Sequence, residues 1–531
     1  MEQTSIFLWR CIFLMSLILP SQQQQTRPHI VIIVADDLGW NDVGFHGNNY
    51  MHTPNLDALA YSGVILNEYY VSPVCSPTRS ALFAGRHPIH TGMWERVINA
   101  TQPYGLDLSE KIMPQYLKQL GYKTHAVGKW HLGMFRRDYT PTYRGFDSFY
   151  GFWHSRIDYW NHRHHAHGCN VGLDLHDNMM PALDGHNEYA TRLFTRKSIK
   201  VINEHNTTSP LFLYVAHAAV HLANHCSPLQ APQETIEKFK HVTTYEGRNV
   251  FAAMLNEMDT SVGDIVEALD KKGILDNTII VFTTDNGGVV GGFPKNPGNN
   301  WPLRGGKATT WQGGVRGSAF IWSTMLQNTP RVSNQFFHVQ DWLPTLFSAA
   351  EGPIANYTNT RLPLDGKDGW ATLNDPKETF RNEILDIIDD KDDFYSFRQG
   401  KWKIVYDYDI ASVQNSKAAQ AISRTTAPLP ANETIIKLRN DAILPACPEN
   451  PPGPECNPVP GNKTICLFDM EKDHCEQTNL YGSVDAETKR KIENAFQKFR
   501  NSMAPSRTVK EDPKAFPSNW NNLWVPWKDY I

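Results

Sequence analysis

The chain has 531 residues, 41% of them hydrophobic and 20% charged, which is ordinary for a globular protein and long enough for one large domain plus a smaller one. Lys and Arg number 51 against 55 Asp and Glu, a net charge of −4, so bulk electrostatic attraction to nucleic acid or acidic lipid is excluded as a driving force.

Arg10 precedes an apolar run, Cys11–Leu19, followed by small polar residues. This predicts a secretory signal peptide over residues 1–21; the run falls short of the roughly 20 apolar residues of a membrane span, and no later stretch is long enough for an anchor. The first predicted strand is Ile30–Val34, apolar without alternation, as in a strand buried on both faces; it stops at Asp36-Asp37. A helix is predicted over Met113–Leu120. The run "LFLYV", Leu211–Val215, leads to His217 and His221. A second helix covers Ala252–Leu269. The strand Thr278–Thr283 stops at Asp285-Asn286-Gly287-Gly288. Strands alternating with helices define an α/β class, with a mostly parallel sheet flanked by helices over residues 27–375. In such sheets ligands bind beyond the carboxyl ends of the strands, where these polar residues fall.

Beyond about residue 375 the texture changes. "EILDIID" and "SFRQGKWKIVYDYD" read as strands, 428–463 is rich in Pro and Asn, "ICLFDMEKDHCEQTNLY" reads as strand and turn, and "DAETKRKIENAFQKFRNSM" as an amphipathic helix. A smaller C-terminal α+β domain with an antiparallel sheet is expected over 376–531.

Five Asn-x-Ser/Thr sequons, at Asn99, Asn206, Asn356, Asn432 and Asn462, agree with passage through the secretory pathway. Of eight cysteines, Cys11 leaves with the signal peptide. If Cys75 stays unpaired, six remain for three bridges, with the short loops 447–456 and 466–475 as the first expectation.

Asp36, Asp37, Asp285 and Asn286 admit two readings. They cap helices and turns, or they gather around a hard divalent cation with oxygen ligands, Ca²⁺ before Mg²⁺. Lys129 and His131, two apart, share a face if extended, offering a fixed charge and a proton carrier. His221 and Lys307 invite the same reading; solvated surface is the plain alternative for all four. The histidine-rich stretch 154–176 reads as a second metal site, a surface loop, or a cationic rim at acidic pH.

Cys75 stands in "CSPTR", with Gly85-Arg86 behind it. Cys-x-Pro-x-Arg followed by Gly-Arg resembles the first signature of the sulfatase family, and "GYKTHAVGKWHLG", residues 121–133, resembles the second. "ADDLGWND", "TTDNGG", "PTYRGFDSFYGFWHSRIDYW" and "LRGGKATTWQGGVRG" are similar to further family segments, most nearly those of arylsulfatase B, the N-acetylgalactosamine-4-sulfatase, and its relatives. Thr78 and Ala84 depart from the usual Ser and Thr without touching Cys75, Pro77 or Arg79.

The resemblance implies an alkaline-phosphatase-like fold and hydrolysis of sulfate esters. It implies that a formylglycine-generating enzyme converts Cys75 to formylglycine, whose hydrate carries the nucleophile. It implies one Ca²⁺ held by Asp36, Asp37, Asp285, Asn286 and the residue at 75. Arg79 and Lys129 would position that residue, His131 would move its proton, and His221 and Lys307 would hold the sulfate. The substrate stays open between sulfated glycosaminoglycans and small aryl, alcohol or dietary sulfate esters, and the location between lysosome and extracellular space. Two rivals remain: a phosphatase or phosphodiesterase of the same fold, and a catalytically silent protein that binds sulfated glycans.

Overall fold

The segment HIVIIVA, His29–Ala35, is a wholly buried strand at the middle of a ten-stranded sheet. Its alternate residues feed two separate cores: Ile30, Ile32 and Val34 face one, Val31, Ile33 and Ala35 the other. That is why the run is apolar throughout rather than alternating. The computed structural model describes residues 27–166, 170–240, 243, 245–290, 296–350, 363–379, 381–407, 432–456 and 463–531. The expected signal peptide, Cys169, Asn356 and Asn462 lie outside the described residues.

His29–Ala35 pairs in parallel with Leu211–Ala216 on one side and Thr278–Thr284 on the other. Lys123–Lys129 and Ser148–Phe152 continue the parallel order beyond Leu211–Ala216. Ala319–Trp322 runs antiparallel beside Thr278–Thr284. Helices Ala190–Glu204 and Glu246–Lys271 cover one face, burying Leu193, Phe194, Phe251 and Met258. Cys75–Ala84, Met113–Gln119 and Trp342–Ala349 cover the other with Phe83, Tyr116 and Trp342. The fold is therefore a large, mostly parallel sheet between helical layers.

The register places the site. Ala35 is level with Thr284, and Ala216 with Gly128. Asp36, Asp285, Lys129 and the segment after Ala216 therefore leave the sheet at one rim. Lys123–Lys129 was not legible as a strand from sequence, because its residues mix polar and apolar without a clear period.

The second sheet is antiparallel, in the order Glu383–Asp389, Phe394–Gln399, Trp402–Asp407, Thr464–Asp469. Helix Ala486–Asn501 lays Ile492 and Phe496 on it, together with Ile89 and Trp94 from the large sheet's side of the molecule. The terminal segment returns to the large core, where Trp524 and Trp527 are fully buried. Helix Glu433–Ala442, capped by the Asn432 side chain, lies within the Pro- and Asn-rich stretch, where no helix was expected.

Two expectations are corrected. The disulfides are Cys447–Cys475 and Cys456–Cys466, not the two short loops. The strand Thr464–Asp469 carries Cys466 back beside Cys456, and nesting one loop inside the other leaves Cys447 facing Cys475. Cys226 is an exposed free thiol. The histidine-rich stretch is largely neither surface loop nor metal site among the described residues. His154, His162, His164 and His176 are buried, and Asp174 sits between His154 Nδ1 at 2.8 Å and His176 Nδ1 at 3.6 Å. His154 and His164 stack on each other, and both rings meet Trp524 edge-on, fastening the terminal segment.

Candidate active site

Cys75 is the first residue of the helix Cys75–Ala84 and is 1% exposed. Thr78, the departure from the usual Ser, fixes this turn: its hydroxyl accepts from Ser72 N–H at 2.9 Å and donates to Ser72 C=O at 3.2 Å. The Cys75 thiol donates weakly to Asp36 Oδ1 at 3.7 Å. Burial, with Asp285 next, pushes the thiol up to about 12. As a thiol it is a poor nucleophile at neutral pH.

Three carboxylates and three cations meet here. Lys129 Nζ lies 2.5 Å from Asp36 Oδ2, and Lys307 Nζ 2.5 Å from Asp37 Oδ1. Arg79 grips Asp285 Oδ2 through Nε at 3.1 Å and Nη2 at 2.9 Å, while Nη1 donates to Tyr214 Oη and to the Lys129 carbonyl, each at 3.2 Å. Asn286 Nδ2 donates to Asp37 Oδ1 at 2.8 Å. Burial pushes Asp36 up to about 7, with Asp285 adding to it. Burial works the same way on Asp285 and Asp37, but is outweighed: Arg79 and Lys129 hold Asp285 low, and the Lys307 ammonium holds Asp37 below the usual carboxylate range.

The donor set fits a hard cation. Asp37 Oδ2 and Asn286 Oδ1 are buried with no hydrogen-bond partner. His221 Nδ1 lies 2.8 Å from the Leu222 carbonyl, which takes its proton and turns the Nε2 lone pair toward Asp37 Oδ2, 3.4 Å away. Two facing acceptors need a positive charge between or beside them. The ligand atoms of Asp36, Asp37, Cys75 and His221 all lie within 4.8 Å of one another. Because the fixed charges already cancel, a bound divalent cation leaves the site net positive, which suits an anionic substrate.

A cleft of about 630 Å³ opens over this cluster. Asp37, Cys75, His131, His221 and Lys307 line it; Arg79 and Lys129, at 0% and 1% exposure, lie behind them. His131 Nε2 donates to the Ile98 carbonyl at 3.0 Å, leaving Nδ1 as an unpaired acceptor. Burial, with Lys129 next, keeps that ring neutral. Asp37 and His131 both have φ of +60°, a conformation that costs about 1 kcal/mol or more and that their contacts impose.

All ten residues singled out from sequence thus gather at one rim. His217 does not join them: it is buried against Ser261, 3.2 Å away. Tyr214 was missed, because a tyrosine inside an apolar strand reads as packing. Arg156 in the cleft wall was missed as well; a lone arginine in a loop carries no sequence signal.

A strand-end cluster of carboxylates and cations under an anion-suited cleft, on a parallel sheet, defines a hydrolase of anionic esters. The sulfatase family model matches residues 28–352. Arylsulfatase J of Mus musculus is 36% identical over 504 residues, covering 94% of this chain and 80% of that protein. N-acetylgalactosamine-6-sulfatase of Rattus norvegicus is 32% identical over 353 residues, 61% of this chain and 62% of that protein. Among solved structures, Ps i-CgsB in complex with k-i-k-neocarrahexaose superposes with a TM-score of 0.72 at 25% identity, covering 94% and 97% of the two chains. The chain belongs to the sulfatase family and is a sulfuric ester hydrolase.

Proposed function

We propose that this sulfatase cleaves sulfate esters carried on sugars, with N-acetylgalactosamine-4-sulfate as the leading unit, using formylglycine made from Cys75 and one Ca²⁺. The observation that carries the reading is the pairing of an unreactive, buried Cys75 with the two orphaned oxygens of Asp37 and Asn286. The thiol gains a role if it is a precursor, and the oxygens gain a partner if a cation is present. Asp36, Asp37, Asp285 and Asn286 would hold the cation. The cation supplies charge neutralisation and lowers the pKa of a hydroxyl beside it, and formylglycine supplies that hydroxyl in hydrated form.

The chain's own residues do the rest. Arg79 keeps Asp285 ionised, and Lys129 holds Asp36 in place. Lys307, fixed by Asp37, presents its charge to the sulfate oxygens. His131 Nδ1 takes a proton from the group at position 75. His221, its Nδ1–H donated to the Leu222 carbonyl, lines the sulfate end of the cleft beside Lys307. Cys75 is closed to solvent in the folded chain, so a formylglycine-generating enzyme would act before folding is complete.

The sugar reading is supported by the cleft volume, which suits an enclosed organic ligand, by a relative named N-acetylgalactosamine-6-sulfatase, and by a similar structure that holds k-i-k-neocarrahexaose. Small aryl or alcohol sulfate esters are the second reading. Exposed Asn99 and Asn206 and the two disulfides support passage through the secretory pathway to the lysosome or the outside. No helix among the described residues is long and apolar enough to cross a membrane.

A panel of N-acetylgalactosamine-4-sulfate oligosaccharide, aryl sulfate, small alcohol sulfate and aryl phosphate tests the reading. Preferential turnover of the oligosaccharide is expected. Preference for the aryl or alcohol ester would replace the sugar substrate. Mass spectrometry of the peptide spanning position 75 should show the aldehyde or its hydrate; only intact thiol there would remove formylglycine.

A further inference from the structure

The cleft over Cys75 has a cation that the chemistry above leaves unused. Arg156 lines its wall, half-buried, beyond strand Ser148–Phe152. The other cations in the wall have carboxylates: Lys307 has Asp37, and Arg96 is ion-paired to Asp392. Arg156 has none within ion-pairing distance among the described residues. Its Nη2 donates to His225 Nε2 at 3.1 Å and to the His165 carbonyl at 3.4 Å, neither of them a carboxylate. Its Nε is buried with no hydrogen-bond partner. A guanidinium removed from water normally meets a carboxylate or loses stability. Here His225 and the His165 carbonyl aim it, and its charge, with no carboxylate beside it, faces the cleft.

We propose that Arg156 is a specificity-determining residue that binds a second anionic group of the substrate, a carboxylate or a further sulfate carried on the unit next to the sulfated sugar. This rests on the sugar-sulfate reading above and narrows it to polyanionic glycans. The guanidinium is always charged, and its remaining nitrogen, Nη1, can donate to a carboxylate or sulfate oxygen. The apolar side chains of Trp94, Leu222 and Phe394 in the same wall leave room for the sugar body between the two anionic ends.

The test uses the full-length enzyme with p-nitrophenyl sulfate and three oligosaccharides bearing a 4-sulfated N-acetylgalactosamine. One has a neighbouring uronate, one the same uronate reduced to the alcohol, and one a second sulfate in its place. Arg156→Gln is expected to lower kcat/KM for the uronate substrate at least tenfold relative to p-nitrophenyl sulfate, mainly through KM, with Arg156→Lys recovering part. Reducing the uronate should penalise the wild type and not Arg156→Gln, since both changes delete one interaction. If only the doubly sulfated oligosaccharide shows this coupling, the second anion is sulfate. Equal loss on p-nitrophenyl sulfate and on the oligosaccharides, or equal penalties in wild type and variant, overturns the proposal. Wild-type turnover of p-nitrophenyl sulfate with none of the oligosaccharides would overturn the sugar reading, and this inference with it. Turnover of the oligosaccharides without coupling would overturn this inference alone.

Discussion

Asp407 Oδ2 accepts two hydrogen bonds from Thr310, one from the main-chain N–H at 2.6 Å and one from the hydroxyl at 2.9 Å. Asp407 ends a strand of the small sheet, and Thr310 follows Lys307 by three residues. Lys403 Nζ adds a bond to the Thr310 carbonyl at 2.8 Å and reaches Glu476 Oε1 at 2.7 Å; Glu476 Oε2 accepts from Gln312 N–H. The small domain thus holds the loop that delivers Lys307.

Asp407→Ala leaves the buried Thr310 N–H unsatisfied, a cost of about 1–3 kcal/mol. The expected result is a lower Tm and a several-fold weaker inhibition constant for inorganic sulfate, because Lys307 loses its fixed position. Asp407→Asn, which keeps one oxygen acceptor, should fall between. A lower Tm with unchanged sulfate inhibition would mean that the loop is placed without the small sheet.

Cys75→Ala should reduce turnover by about three orders of magnitude or more while Tm stays near wild type, since the thiol contributes one weak hydrogen bond at 3.7 Å, and Ca²⁺ should still bind through Asp36, Asp37, Asp285 and Asn286. Kinetics with aryl sulfate and calorimetric Ca²⁺ titration check both halves. Activity within tenfold of wild type would exclude position 75 as the nucleophile.

Chelation should abolish activity and lower Tm, with Ca²⁺ restoring both more effectively than Mg²⁺. The pH dependence has two signs. Asp36 is raised from 3.8 to about 7 in the cation-free protein. The folded state therefore holds a proton that the unfolded chain has released, and that contribution to stability is lost as pH rises through 7. The cation needs the ionised form, so its affinity climbs over the same window and falls about tenfold per unit below it. Calorimetric Ca²⁺ titrations between pH 5 and 8 read this directly; affinity flat with pH would show that Asp36 is ionised throughout.

Gly287 follows the Asp285-Asn286 pair, and a Cβ there would lie 1.7 Å from the Gly313 carbonyl oxygen. Gly287→Ala must push the 311–314 turn off the carboxylate strand tip. A loss of about 1–3 kcal/mol and weakened Ca²⁺ binding are expected. Gly482→Ala, where a Cβ meets nothing within 4 Å, is the matched control. Equal Tm values for the two variants would show that the contact is not needed.

Much of this was legible in the residues themselves. Unbroken apolar runs at Ile30–Val34, Leu211–Val215 and Thr278–Thr283 announce buried parallel strands, because a strand covered on both faces has no polar side to display. Asp36-Asp37 and Asp285-Asn286 at their ends announce the rim, and "CSPTR" with "GYKTHAVGKWHLG" announces the family. Sequence did not carry the pairing of Cys447 with Cys475, the internal burial of His154, His164 and His176, or the roles of Tyr214, Asp407 and Arg156. Each depends on which distant segment arrives opposite, and that is settled by packing of the whole chain. A local pattern can fix an element's period and its polar ends. Only the assembled sheets decide which charge finds a partner and which, like Arg156, is left facing the cleft.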